Sequence, residues 1–231
     1  MKIQSEFSRY ADQYGNYNII QEKVVSKLLD DLDEHPRRIL DLGCGKGALF
    51  SAIDWRIEHF VGVDFAPGML ELHPKEGDNV EVLECVYGDF NDVTLFEQLS
   101  FSEFDRIFSA SALQWADDLE TVFRNIASLK KPVSLAIFSG STFKTLFETA
   151  GVLPLLRSSD EVETLVKRYF NAKIEIVKYK LAFDSVREMF RYIKRSGVSG
   201  NRNLLGYKEM KKLMESYPLD YLEFEVVLIQ S

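Results

Sequence analysis

Three carboxylates stand at matching places in the chain, each at the end of a short apolar run. They are Asp41 in Ile39-Leu40-Asp41-Leu42, Asp64 in Val61-Gly62-Val63-Asp64 and Asp89 in Tyr87-Gly88-Asp89-Phe90. The first run leads into Gly43-Cys44-Gly45-Lys46-Gly47, three alternating glycines. Glycine adopts positive φ without penalty and lets a ligand approach the backbone with no Cβ in the way. Such a run is also what a plain strand-to-helix turn looks like, so the glycines alone do not decide between the two. Asp64 follows them at about the twenty-residue distance at which a nucleotide-binding βαβ unit presents an acid to a ribose diol. One carboxylate can accept from both ribose hydroxyls.

The spacing separates two cofactors. A dinucleotide brings a pyrophosphate and uses G-x-G-x-x-G at a helix N-terminus to hold it. Here the pattern is G-x-G-x-G, and Asp41 lies two residues before the first glycine. An acid there repels a pyrophosphate and attracts a cationic amino group. The pattern therefore favours S-adenosylmethionine, which has ribose, adenine and an amino-acid end but no phosphate, over a nicotinamide cofactor.

The surrounding elements fit this placement. Strand candidates at Arg38–Leu42, His59–Val63, Val80–Val86, Phe104–Ser109 and Val133–Phe138 recur with helix-length connections. That rhythm predicts βαβ units and a mostly parallel sheet. Phe7, Tyr10 and Tyr14 fall on one face of an N-terminal helix, and a second helical pattern through Val24, Val25, Leu28, Leu29 and Leu32 stops near Pro36. After Ser139 helices dominate, with strand-like runs at Lys173–Phe183 and Tyr221–Ile229 expected to pair at the sheet edge. The expected fold is an α/β, doubly wound, mostly parallel seven-stranded sheet. It forms one domain over residues 1–231, with helical lid segments at 142–170 and 185–216.

Composition narrows the class. The chain has 231 residues, 46% hydrophobic and 28% charged, with a net charge of −8. That is ordinary for a globular domain and gives no general attraction to nucleic acid or an anionic membrane. Met1 to Tyr10 is polar and mixed, and apolar runs such as Leu135–Phe138 are far too short to cross a bilayer. Cys44 and Cys85 read as thiols rather than a disulfide. A cytoplasmic location is expected, with no metal, no nucleic acid and no membrane partner.

From the N-terminal helix to Trp115 the chain resembles the class I S-adenosylmethionine-dependent methyltransferases. The resemblance implies that Asp41, Gly43, Gly45 and Gly47 cradle the methionine end and that Asp64 holds the ribose. It puts Phe65 and Met69 beside the adenosine, with Asp89 accepting from the adenine amino group and Phe90 next to the ring. Ser109, Ala110 and Leu113 would pass beneath the sulfonium, with Phe7, Tyr10 and Tyr14 closing over the cofactor. Ala66 stands where a serine is frequent in the family, which removes one small capping contact.

His35, His59 and His73 lie before strand one, at the start of strand two and before strand three. Strand starts are remote from the ligand end, so no histidine base is expected near the transferable methyl. An alcohol acceptor would usually want such a base. A carboxylate, already ionised, needs only alignment. Between Arg187 and Lys212, eight basic residues face only Glu188 and Glu209. Such a segment on an acidic chain suits an anionic partner, and equally a solvated helix face.

Further motifs narrow the resemblance. Ser111-Ala112-Leu113-Gln114-Trp115, Met189 to Val198, Tyr217-Pro218-Leu219-Asp220-Tyr221 and Phe7 to Tyr14 are similar to the malonyl-[acyl-carrier protein] O-methyltransferases of biotin synthesis. The resemblance implies transfer of a methyl to the free carboxylate of a malonyl thioester, masking its charge for extension toward pimelate. It implies an acyl-carrier protein docked on the basic segment 187–212. Trp115 would wall the acceptor pocket, and Arg191, Arg195 or Arg202 would hold the carboxylate through a planar guanidinium fork. A class I methyltransferase acting on another small carboxylate or on an unrelated small molecule is the alternative. No residue is expected to act as a chemical catalyst.

Overall fold

The computed structural model describes residues 18–195 and 207–231, with side chains for 18–193 and 211–231. Phe7, Tyr10, Tyr14, Arg202 and the side chain of Arg195 lie outside these residues. The order is α1 (Ile19–Asp30), β1 (Arg38–Leu42), α2 (Ala48–Ala52), β2 (Ile57–Asp64), α3 (Pro67–Leu72), β3 (Val80–Tyr87), α4 (Val93–Leu99) and β4 (Arg106–Ala110). A 3-10 turn (Leu113–Trp115) follows, then α5 (Leu119–Ser128), β5 (Val133–Phe138), α6 (Lys144–Ala150) and α7 (Ser159–Tyr169). The chain ends with β6 (Lys173–Ala182), α8 (Val186–Arg195), α9 (Tyr207–Ser216) and β7 (Tyr221–Gln230).

The seven strands form one sheet in the order β3-β2-β1-β4-β5-β7-β6. β1 to β5 pair in parallel, while β7 runs antiparallel to both β5 and β6. The strand order reverses between β1 and β4, and a doubly wound sheet binds its ligand at the carboxyl ends of the strands flanking that switch. Strands covered on both faces read as unbroken apolar runs, and all six residues of β5 are buried. On one face Leu40, Leu42, Val61, Val63, Ile107, Leu135, Ile137, Val227 and Ile229 pack against α4, α5 and α7. On the other, Ile39, Phe60 and Phe108 meet α2 and Val25 of α1, while Phe138, Phe224, Val226 and Leu228 meet α6, α8, α9 and the rest of α1. α1 thus spans β1, β4 and β5, and its N-terminal end reaches the switch point.

The expected lid at 142–170 needs correction. Val162 and Val166 of α7 are fully buried against Phe123 and Ile126 of α5 and against Val227 and Ile229 of β7. A Ser158–Glu161 capping box starts α7 on that face. It is a covering helix of the sheet, placed there by its own apolar stripe. α6 likewise inserts Leu146 beneath β7, beside Met189 and Ile193 of α8. No helix among the described residues is long and apolar enough to cross a membrane.

Candidate cofactor and acceptor site

β1 delivers Asp41 and the glycine turn to the switch point. Gly43 and Cys44 both donate their N–H to the Val63 carbonyl, at 2.8 and 3.0 Å, which folds the turn back over β2. Gly43 has φ +79°, and a Cβ there would lie 2.2 Å from the Cβ of Ala112 in the loop after β4. Only glycine permits both the turn and that approach. Gly47, at φ +81° before α2, is glycine for another reason: a Cβ would press on Pro74 and on the His73 ring.

Asp64, at the end of β2, clamps two turns. Its Oδ2 accepts from the Gly45 N–H at 2.9 Å and its Oδ1 from the Ala66 N–H at 2.8 Å. Each carboxylate oxygen keeps a further lone pair, so both remain able to accept from a ribose diol. Burial raises the Asp64 pKa from its ordinary value, and the N–H groups of Ala66, Gly45 and Phe65 oppose the rise. Asp41 is 2% exposed, and its Oδ1 has no hydrogen-bond partner among the described residues. Burial, with the nearby Asp64 charge added, pushes its pKa up to about 8. Burial likewise pushes the Cys44 thiol upward, so it is an inert wall and not a nucleophile.

These groups enclose an open cavity of about 920 Å³. Of the expected residues, Asp41, Gly43, Gly45, Asp64, Phe65, Met69, Phe90, Ala110 and Trp115 line it together. Its features suit S-adenosylmethionine: a backbone cradle free of Cβ atoms, an unmet buried carboxylate for a cation, a diol acceptor and an apolar wall for adenine. Bound there, the cofactor supplies an electrophilic methyl on a sulfonium. Among the described residues no group of three or more His, Cys, Asp or Glu is placed to hold a metal ion.

Five expectations need correction. Ser109 is fully buried and donates to the Leu42 carbonyl at 2.6 Å, so it ties β4 to β1 away from the cavity. Leu113 is fully buried in the core on the α5 face. Gly47 packs on His73 and does not line the cavity. Asp89 is exposed, and its Oδ1 accepts from the backbone and side-chain N–H groups of Asn91, which turns it into a local loop clasp. Arg191 is exposed on α8 and does not line the cavity either.

The histidines sit where packing uses them. His73 is buried and tilted against Phe50 and Phe60, His35 stacks on Trp55, and His59 meets Glu84 at 2.9 Å. Sequence reading missed the contribution of α1: Asn18, Gln21 and Val25 line the cavity. Gln21 shares a helix face with Val25 and Leu28, at spacings of four and seven, so a lone amide in an apolar stripe was the available signal. Ser111 and Ala112 also line the cavity, and Ser111 holds φ +67°, which is unusual for a residue with a Cβ.

Known proteins bear on this geometry. Residues 40–138 match the model of a methyltransferase domain. The malonyl-[acyl-carrier protein] O-methyltransferase of Halorhodospira halophila is 25% identical over 238 residues, covering 94% of this chain and 79% of that protein. The enzyme of the same name from Acetivibrio thermocellus is 35% identical over 159 residues, 64% of this chain and 54% of its own length. In fold, the YcgJ protein of Bacillus subtilis superposes with a TM-score of 0.62 at 16% identity, covering 90% of this chain and 97% of that one. With a glycine cradle, a diol acceptor and an unmet carboxylate converging at the switch point, residues 40–138 form the methyltransferase domain of an S-adenosylmethionine-dependent methyltransferase.

Proposed function

We propose that this methyltransferase esterifies the free carboxylate of a malonyl thioester carried on acyl-carrier protein, an early step of biotin synthesis. The observation that carries the reading is the similarity, over 94% of the chain, to a protein named for that reaction. The chemistry of the cavity supports it. No imidazole among the described residues lines the wall, so an acceptor that must lose a proton finds no histidine base there. A carboxylate needs none: its oxygen bonds to the methyl carbon as the carbon–sulfur bond breaks, and no proton moves. The work left to the chain is to hold the reacting atoms in line and to exclude water.

Trp115, Ala110 and Ala112 supply the apolar wall on the β4 side, where a thioester arm would lie. Arg187 and Arg191 on α8 and Lys211 and Lys212 on α9 are exposed, and we assign to them the docking of the acidic carrier protein. Arg195 and Arg202 remain the candidates for holding the acceptor carboxylate, and the three aromatics Phe7, Tyr10 and Tyr14 for closing over the cofactor.

Methyl-labelled S-adenosylmethionine offered with malonyl-carrier protein, malonyl-coenzyme A and free malonate tests this. A methyl ester releases its label in mild alkali. Alkali-labile counts on the malonyl thioesters, and few on malonate, are expected. Equal labelling of free malonate would move the reading to a small-diacid methyltransferase, and absence of labelling despite cofactor binding would remove this acceptor.

A further inference from the structure

The cavity wall contains three buried side-chain oxygens with no hydrogen-bond partner among the described residues: Gln21 Oε1, Asp41 Oδ1 and Ser111 Oγ. They come from three separate elements, α1, β1 and the loop after β4. Buried acceptors are seldom left unmet, because each forfeits its bond to water. Three of them in one wall call for a donor. A primary ammonium is complementary, having three N–H donors, no acceptor and a positive charge.

Two of the three sit at positions whose surroundings fix them. Ser111 sits at φ +67°, and its backbone is pinned by its own N–H to the Ala136 carbonyl at 3.0 Å and by Gln114 Nε2 to its carbonyl oxygen at 2.6 Å. Strain that is pinned from both sides marks a position whose side chain must point one way. Gln21 is 8% exposed in an otherwise apolar helix face, where a leucine would pack more simply.

We infer that Gln21 and Ser111 join Asp41 in binding the primary ammonium at the amino-acid end of S-adenosylmethionine, which makes α1 a wall of the cofactor site. The inference does not depend on the identity of the methyl acceptor. The three groups divide the work by charge and position. Asp41 supplies the counter-charge from beneath, Gln21 closes the subsite from α1, and Ser111 links it to the β4 loop on which the acceptor wall stands. The arriving cation also favours loss of the proton that burial keeps on the Asp41 carboxyl.

Calorimetric binding of three ligands to the full-length protein and to Gln21→Leu and Ser111→Ala tests this. S-adenosylhomocysteine has the whole amino-acid end, its decarboxylated analogue keeps the amine alone, and 5′-methylthioadenosine has neither. Each variant is expected to bind the first two roughly tenfold or more weakly, the loss typical of a hydrogen bond to a charged group. 5′-Methylthioadenosine affinity is expected to stay within about twofold, since its contacts are untouched. Ser111→Gly, which removes the hydroxyl and relieves the backbone, is expected to match Ser111→Ala in binding while unfolding at no lower temperature. Equal losses for all three ligands would show a structural role and overturn the inference, as would unchanged affinity for all three. Loss confined to S-adenosylhomocysteine would assign the residues to the carboxylate and overturn the ammonium assignment.

Discussion

The half of the molecule built on β1 to β4, which lines the cavity together with α1, and the half built on β5 to β7 are held together by different means. In the first half, backbone conformation makes the site: positive φ at Gly43, Gly45 and Gly47, and main-chain N–H groups gathered onto Asp64. The partners of Asp64 lie within about one βαβ unit in sequence, so these turns form at short range. In the second half, distant side chains set the geometry. Glu225 of β7 accepts from Ser139 Oγ at 2.7 Å, and Thr142 Oγ1 donates to the Glu225 carbonyl, across 86 and 83 residues. The cofactor turns are therefore locally encoded, whereas the second half depends on how the chain inserts β7 between β5 and β6.

The largest effect that would break this contrast is at Asp64. Asp64→Ala leaves the Gly45 and Ala66 N–H groups without their acceptor and removes the diol site. S-adenosylhomocysteine affinity is expected to fall by roughly a hundredfold or more, with a lower Tm. Calorimetry giving less than a tenfold loss would mean the turn is held by something other than its local acid. Next come two glycines of equal φ sign and different surroundings. Gly43→Ala meets Ala112 at 2.2 Å, and Gly45→Ala meets nothing within 4 Å. Urea unfolding is expected to show a loss of about 2–4 kcal/mol for the first, strain plus overpacking, and about 1–2 kcal/mol for the second, strain alone. Equal losses would show that conformation, and not the approach of the β4 loop, fixes Gly43.

How much was legible follows the same division. β1 and β5 begin and end where their apolar runs do, because both are buried on two faces. β2 extends upstream to Ile57, which pairs with Val80 on β3, a contact that no local pattern announces. Asp41, Asp64, Gly43 and Gly45 could be placed at one strand-end cavity because turn chemistry needs those residue types at those spacings. Asp89 was misplaced for the converse reason. Its spacing matches the other two acids, but Asn91 two residues on offers nearer donors, and a side chain takes the local bond. Ser109 and Leu113 were placed in the site by position along the β4 loop, while their side chains face β1 and the core. The roles of α6 and α7 were hidden because amphipathicity shows that a helix covers something and not what it covers.

Asp41 sharpens the comparison through pH. Its pKa in the folded, free protein lies near 8, above the usual carboxylate value. The folded state then binds a proton that the unfolded chain has already lost, so stability of the free protein falls as pH rises from the ordinary carboxylate range toward 8. Cofactor binding runs the other way, since the ionised form meets the cation. Affinity is expected to rise as pH increases toward 8, with release of up to one proton per site, measurable as a buffer-dependent binding enthalpy. Asp41→Asn is expected to bind about tenfold or more weakly at pH 8, to release no proton and to lose the falling stability limb. A variant that keeps the proton release would place the titrating group elsewhere.

The smallest effect is expected where the second half would meet the proposed carrier protein. Arg187 and Arg191 are exposed and lie one turn apart on α8, and exposed charges act mainly on encounter rate through a field that salt screens over about 8–10 Å. The double charge reversal Arg187→Glu, Arg191→Glu is expected to raise the KM for malonyl-carrier protein roughly three- to tenfold at low ionic strength, the scale of rim charges in docking. Added salt should close most of that gap, because it weakens the wild-type attraction and the variant repulsion together. Malonyl-coenzyme A serves as the internal control: it delivers the same carboxylate without the protein surface, so its KM should move less than that of the carrier protein. The cofactor affinity should not move at all, since neither arginine lines the cavity. If instead kcat fell for both thioesters with KM unchanged, Arg191 would be acting on the reacting carboxylate itself, and α8 would belong to the chemistry of the site and not to its approach.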